Sequence, residues 1–133
     1  MSPPDPNDES HEPVPCSEPL WCVTTTVSEA SNAQQLARQI LEQRLAACVQ
    51  VEALQSHYRW QGQTLAEPEW RLTLKTTAAA GPALLAWLQQ HHPYELPQLC
   101  WTTWQASTDY ARWVCENVGP QDSEAPPAAG HAA

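Results

Sequence analysis

The sequence predicts an α+β fold, a ferredoxin-like βαββαβ sandwich with an extra helix at the C-terminal end. Three observations carry this reading. Segments of residue period two, rich in β-branched and aromatic side chains, alternate with segments of period 3.6. Two long strand-like runs follow one another with only a turn-like stretch between them. The 133 residues leave room for one compact domain once the Pro- and acid-rich ends are set aside.

Leu20 to Val27, LWCVTTTV, reads as a buried strand. Ser31 to Ala47 then places Ala33, Leu36, Ala37, Ile40, Leu41 and Leu45 on one helical face, opposite Gln34, Gln35, Arg38, Glu42 and Gln43. Ser31 with Gln34 offers a capping-box start. Cys48 to Trp60 alternates first as Val49, Val51 and Ala53, then as Leu54, Ser56, Tyr58 and Trp60, and this slip predicts a bulge or bend. Gln61 to Pro68 supplies the turn. Glu69 to Thr76 returns with Trp70, Leu72 and Leu74 on one face and Glu69, Arg71, Thr73 and Lys75 on the other, completing a long antiparallel hairpin. Ala78 to His92 forms a second helix with Pro82 in its first turn and Leu84, Leu85 and Leu88 as the buried stripe, and Pro93 stops it. Gln98 to Ala106 is a fourth strand. Ser107 to Val118 is a final helix capped by Ser107 or Thr108, with Tyr110, Trp113, Val114 and Val118 inward.

The domain is therefore expected over residues 20–118, between disordered tails at 1–19 and 119–133, where His11 and His131 read as solvated residues. Hydrophobic residues make up 42% of the chain and include seven Trp and no Phe, enough for a core. A net charge of -9 with six Lys and Arg argues against a nucleic-acid partner and against an anionic membrane. Five cysteines without a C-x-x-C pair speak against a disulfide framework or a zinc ribbon, and free thiols in a reducing cytoplasm are the simplest reading. Neither a leader pattern nor a run of membrane-spanning length is present, so a soluble, cytoplasmic protein is expected.

From Leu20 to Val118 the sequence resembles the CutA divalent-cation tolerance proteins. The resemblance rests on LAAC at the end of the first helix, the S-x-Y-x-W-x-G run from Ser56 to Gly62, Glu69 six residues before Lys75-Thr76, HHPYELP from His91, and DYARW from Asp109. It implies a homotrimer similar in architecture to the PII signalling proteins, with long hairpins wrapping neighbouring subunits. A hairpin carrying Tyr58, Trp60 and Trp70 past a small core calls independently for a covering partner. The chain departs from the family pattern in lacking a Pro-Gly turn in the second strand, in carrying Gln98 where a Glu is usual, and in having neither Pro nor Gly between that position and the last helix. Gln98 removes a carboxylate that would be a possible ligand.

Two chemistries follow. The first is a metal site using His91, His92 and Cys48, with copper (Cu2+) favoured by the Irving-Williams order and zinc (Zn2+) second. Adjacent histidines at a helix end diverge by about 100°, so both rarely hold one ion. A helix stop and cleft wall therefore ranks ahead of a dedicated metal site. The second is an intersubunit groove for a small organic ligand or a partner's loop, walled by Trp60, Glu69, Lys75, His92, Tyr94 and Glu95. The resemblance adds Tyr110 and Trp113, which the helical period assigns to core. A ligand-free structural trimer is the third reading. Nucleophile-elbow, H-E-x-x-H and glycine-rich phosphate motifs are all missing, so no enzyme is expected.

Overall fold

The computed structural model describes residues 19–120, and the expected tails, with Cys16, His11 and His131, lie outside the described residues apart from Pro19, Gly119 and Pro120. The elements run β1 (Leu20–Val27), α1 (Ala30–Glu42), β2 (Cys48–Trp60), β3 (Gln63–Thr77), α2 (Gly81–His91), β4 (Cys100–Trp104) and α3 (Thr108–Glu116). The strands form one antiparallel sheet in the order β2-β3-β1-β4. This is the α+β plan that the alternating periods predict.

Alternation along the strands gives the sheet two different faces. Val23 and Val27 of β1 share one with Leu72 and Leu74 of β3. There they pack on Ala33, Leu36 and Ile40 of α1 and on Leu84 and Leu88 of α2. The other face carries Cys22, Lys75 and Cys48 in one row across β1, β3 and β2. Helix α3 crosses that end of it, with the Tyr110 ring centroid 5.6 Å from Lys75 Nζ.

Several boundaries differ from the sequence reading. Helix α1 begins at Ala30 with Glu29 in the cap position and no side-chain cap, so the Ser31–Gln34 capping box is not used. It ends at Glu42, and Arg44 turns the chain in the left-handed region at φ 57°. The Arg44 guanidinium holds this turn by donating to the carbonyl oxygens of Glu116 and Gly119. Leu41, placed inward by the period, is 42% exposed. The fourth strand keeps only Cys100–Trp104 of its predicted span, with every residue exposed.

The predicted bulge is absent. β2 and β3 pair without interruption from Cys48 opposite Lys75 to Trp60 opposite Gln63. What changes at Ala53 and Leu54 is which face is covered. The helices shelter Val49 and Val51, whereas Leu54, Ser56 and Tyr58 lie on the opposite face, beyond the helix layer. The predicted eight-residue turn is likewise only Gln61-Gly62, both at positive φ (51° and 80°), a primed two-residue turn that matches strand twist.

Cys22, Cys48 and Cys100 are free thiols, as expected. Cys115 is not, because it is disulfide-bonded. The spacing argument missed it since the absence of C-x-x-C says nothing about cysteines brought together by the fold. No helix among the described residues is long and apolar enough to cross a membrane.

Candidate functional site

His91 closes α2 and His92 takes the C-cap position in extended geometry, so the two rings part. His91 stacks on Trp87 at 4.1 Å between centroids, and its Nδ1 lies 2.8 Å from the Trp87 carbonyl oxygen. That contact requires a proton on Nδ1 and leaves the Nε2 lone pair of this exposed residue available. His92 is half-buried. Its Nδ1 accepts the Tyr94 backbone N–H (3.0 Å), so Nε2 carries the proton and donates to the Thr26 carbonyl (2.9 Å), with Thr25 Oγ1 at 3.0 Å. Burial lowers its pKa, against the Thr26 carbonyl and the Glu69 charge, which favour the cation. The neutral ring is thus a fixed strut between the α2 exit and β1.

From this strut the chain runs through Pro93 to Tyr94, whose hydroxyl donates to Glu69 Oε2 at 2.6 Å across the end of β1. Ser56 of β2 donates to the other oxygen, Oε1, at 2.6 Å. Burial, together with the hydrogen bond to the Glu69 carboxylate, holds the Tyr94 phenol well above its ordinary value. Tyr58 donates to Glu67 farther out (2.8 Å), and this bond raises its pKa. Glu69, Tyr94 and His92 therefore form one connected cluster. Glu95 next to it is exposed, and Trp60 sits at the hairpin tip, 40% exposed.

A second cluster lies about 20 Å away, six residues along β3 at about 3.3 Å each. Lys75 Nζ stands 5.6 Å from the ring centroids of both Trp104 and Tyr110, a cation between two aromatic faces. Trp113 tilts against Tyr110 at 5.6 Å. Among the described residues the buried Tyr110 hydroxyl has no hydrogen-bond partner. Beside Lys75, burial pushes the Cys22 thiol up, while the Lys75 charge pulls the other way.

The proposed residues thus divide between the two ends of one sheet. Cys48 lies on the face opposite the Thr25 side that holds His92, and among the described residues no three His, Cys, Asp or Glu side chains converge on a metal-sized space. Gln98, which stands in place of a family carboxylate, donates to Thr24 Oγ1 at 3.4 Å. Sequence reasoning missed Ser56, Thr25 and Trp104 as contributors. Ser56 lay within a noted run, but its bond to Glu69 depends on strand register, and nothing in the sequence marks the Trp104–Lys75 contact.

Fold and clusters together define a small α+β protein whose polar groups brace one another at the two ends of a four-stranded antiparallel sheet. Residues 21–117 match the CutA1 divalent ion tolerance protein family. A divalent-cation tolerance protein CutA from Thermus thermophilus is 37% identical over 99 residues, covering 73% of this chain and 96% of its own length. One from Escherichia coli is 37% identical over 94 residues, covering 69% and 84%. The solved structure of CutA from Synechococcus elongatus superposes with a TM-score of 0.74 at 40% identity, over 80% of this chain and 95% of that one. The chain belongs to the CutA1 divalent ion tolerance family. That family is one of divalent-ion tolerance proteins.

Proposed function

We propose that the protein acts as a homotrimer that takes a divalent cation, copper before zinc, through His91 Nε2, with the remaining ligands supplied by other residues of the assembly. One observation carries this reading. The Trp87 carbonyl fixes the His91 tautomer, and a ligating histidine is usually held in this way through its second nitrogen. His92 becomes a strut in this reading, since ligation would break its bonds to Tyr94 or to Thr26. Cys48, 7% exposed and on the other sheet face, drops out of the ligand set.

Native mass spectrometry of metal-stripped protein titrated with copper tests the proposal. The expected result is a trimer with stoichiometric uptake that His91→Ala abolishes and His92→Ala keeps. Equal uptake by parent and His91→Ala would sink it.

A second reading is favoured by the unpartnered Tyr110 hydroxyl beside Lys75. Here a small anionic ligand or a neighbour's loop binds between Lys75, Trp104 and Tyr110. Changes in tryptophan emission across a panel of small carboxylates and phosphates would support it, and silence from all of them would remove it. The cytoplasm remains the proposed compartment on the strength of three free thiols, with Cys115 as the exception.

A further inference from the structure

Helix α3 leaves the end of β4, where Ser107 caps it, and runs to the turn after α1, where the Gly119 N–H donates to the Arg44 carbonyl at 2.9 Å. Beneath it lies the row Cys22, Lys75 and Cys48. Both thiols are 7% exposed. The next row on the same face is less covered, with Thr24 and Thr73 half-buried and Gln50 exposed, so the cover ends where α3 ends.

This cover is lightly seated. Helix α3 has 9 residues, and Val114 is its fully buried side chain. Among the described residues the buried Tyr110 hydroxyl and Arg112 Nε have no hydrogen-bond partner, and water would satisfy both on release. Against that, the Arg44 guanidinium donates from Nε to the Gly119 carbonyl and from Nη2 to the Glu116 carbonyl at 2.7 Å, a cation placed at the helix C-terminus where the dipole favours it. Arg44 does so from left-handed backbone at φ 57°, a conformation that a non-glycine residue keeps only where its surroundings hold it.

We propose that α3 is a lid latched by Arg44, and that its local release admits small molecules to the Lys75 ammonium and to the Cys22 and Cys48 thiols. A ligand seated between Lys75, Trp104 and Tyr110 must part them, because Tyr110 belongs to the lid while Lys75 and Trp104 belong to the sheet. What passes the lid rests on the second reading above; the opening itself does not.

The full chain, handled without reductant so that the Cys115 disulfide is retained, is labelled with N-ethylmaleimide, and the free thiols of Cys22, Cys48 and Cys100 are followed by peptide mapping. Arg44→Ala is expected to speed labelling of Cys22 and Cys48 at least about tenfold. Arg44→Gly, which adopts the left-handed turn without steric cost but lacks the guanidinium, is expected to speed it as much. Exposed Cys100 lies outside the lid and should keep its rate in all three proteins. Release of one short helix uncovers little surface, so the Cys22 and Cys48 rates should rise with urea far less steeply than global unfolding does. Equal rates in parent and variants, or an Arg44→Gly protein that labels like the parent, would overturn the latch. Rates that follow the urea slope of global unfolding, or Cys100 accelerating together with the covered thiols, would overturn the lid, since the whole chain rather than α3 would then be opening. No ligand is present in these reactions, so the second reading stands or falls separately on its emission test.

Discussion

At the residue level the polar cluster works as a brace. Glu69 accepts one hydroxyl on each oxygen, from Ser56 on its own hairpin and from Tyr94 on the segment after α2, tying the extended strands to the helix layer. Hydrogen bonds to a charged acceptor contribute more than neutral ones, so Tyr94→Phe should cost about 1–2 kcal/mol in urea unfolding. In a double-mutant cycle the costs of Ser56→Ala and Tyr94→Phe should fail to add, because the two hydroxyls share one carboxylate. His92 adds a pH dependence. Its folded pKa is lowered, so the unfolded chain binds the proton more readily. Stability is then fully present above the ordinary histidine value of about 6.5 and falls as pH drops below it. Unfolding midpoints measured from pH 8 to 5 should decline more in the parent than in His92→Asn; equal slopes would remove the assignment. Neither role could be read from HHPYELP alone, since proline placement sets where the helix stops but not which ring nitrogen meets which carbonyl.

Two glycines decide the shape of their elements. Gly81 opens α2 against the Trp21 ring, and a Cβ there would lie 2.1 Å from Trp21 Cε3. Because Trp21 also stacks on Trp101 at 5.5 Å, Gly81→Ala must displace both rings, and a loss of about 1–3 kcal/mol is expected from overpacking. Gly62 meets nothing within 4 Å, so its requirement is purely conformational, at φ +80° in the hairpin turn. Gly62→Val should cost about 1 kcal/mol or more through the left-handed backbone, with no change in the core. Near-UV circular dichroism separates the cases, changing with Gly81→Ala and not with Gly62→Val. The hairpin also shows how a strand pattern is misread. The exposure slip at Ala53 and Leu54 looked like a bulge, yet the register is unbroken, because coverage changes from one face of the hairpin to the other as it leaves the helices.

On the scale of the whole molecule, α1 and α2 cover the central part of one sheet face while the other is covered at one end by α3, leaving Gln50, Glu52, Cys100 and Thr102 exposed. If the proposed trimer covers this surface, stability depends on protein concentration. The thermal midpoint should rise over a hundredfold increase in concentration, and Trp60→Asp at the hairpin tip should weaken that rise; an invariant midpoint would argue for a monomer. The sequence by itself determined the element order, the core stripe of Leu72, Leu74, Leu84 and Leu88, a cap of α3 at Ser107 or Thr108, of which the structure uses Ser107, and the family, because periodicity and capping are local properties and the motif run keeps its spacing along the chain. Only the tertiary structure decided that Glu69 bridges Ser56 and Tyr94, that Lys75 stands between Trp104 and Tyr110, that Cys48 lies on the face away from His92, and that Cys115 is bonded. The first three relate residues distant in sequence, and their relative placement is fixed by strand register and helix packing rather than by any local preference.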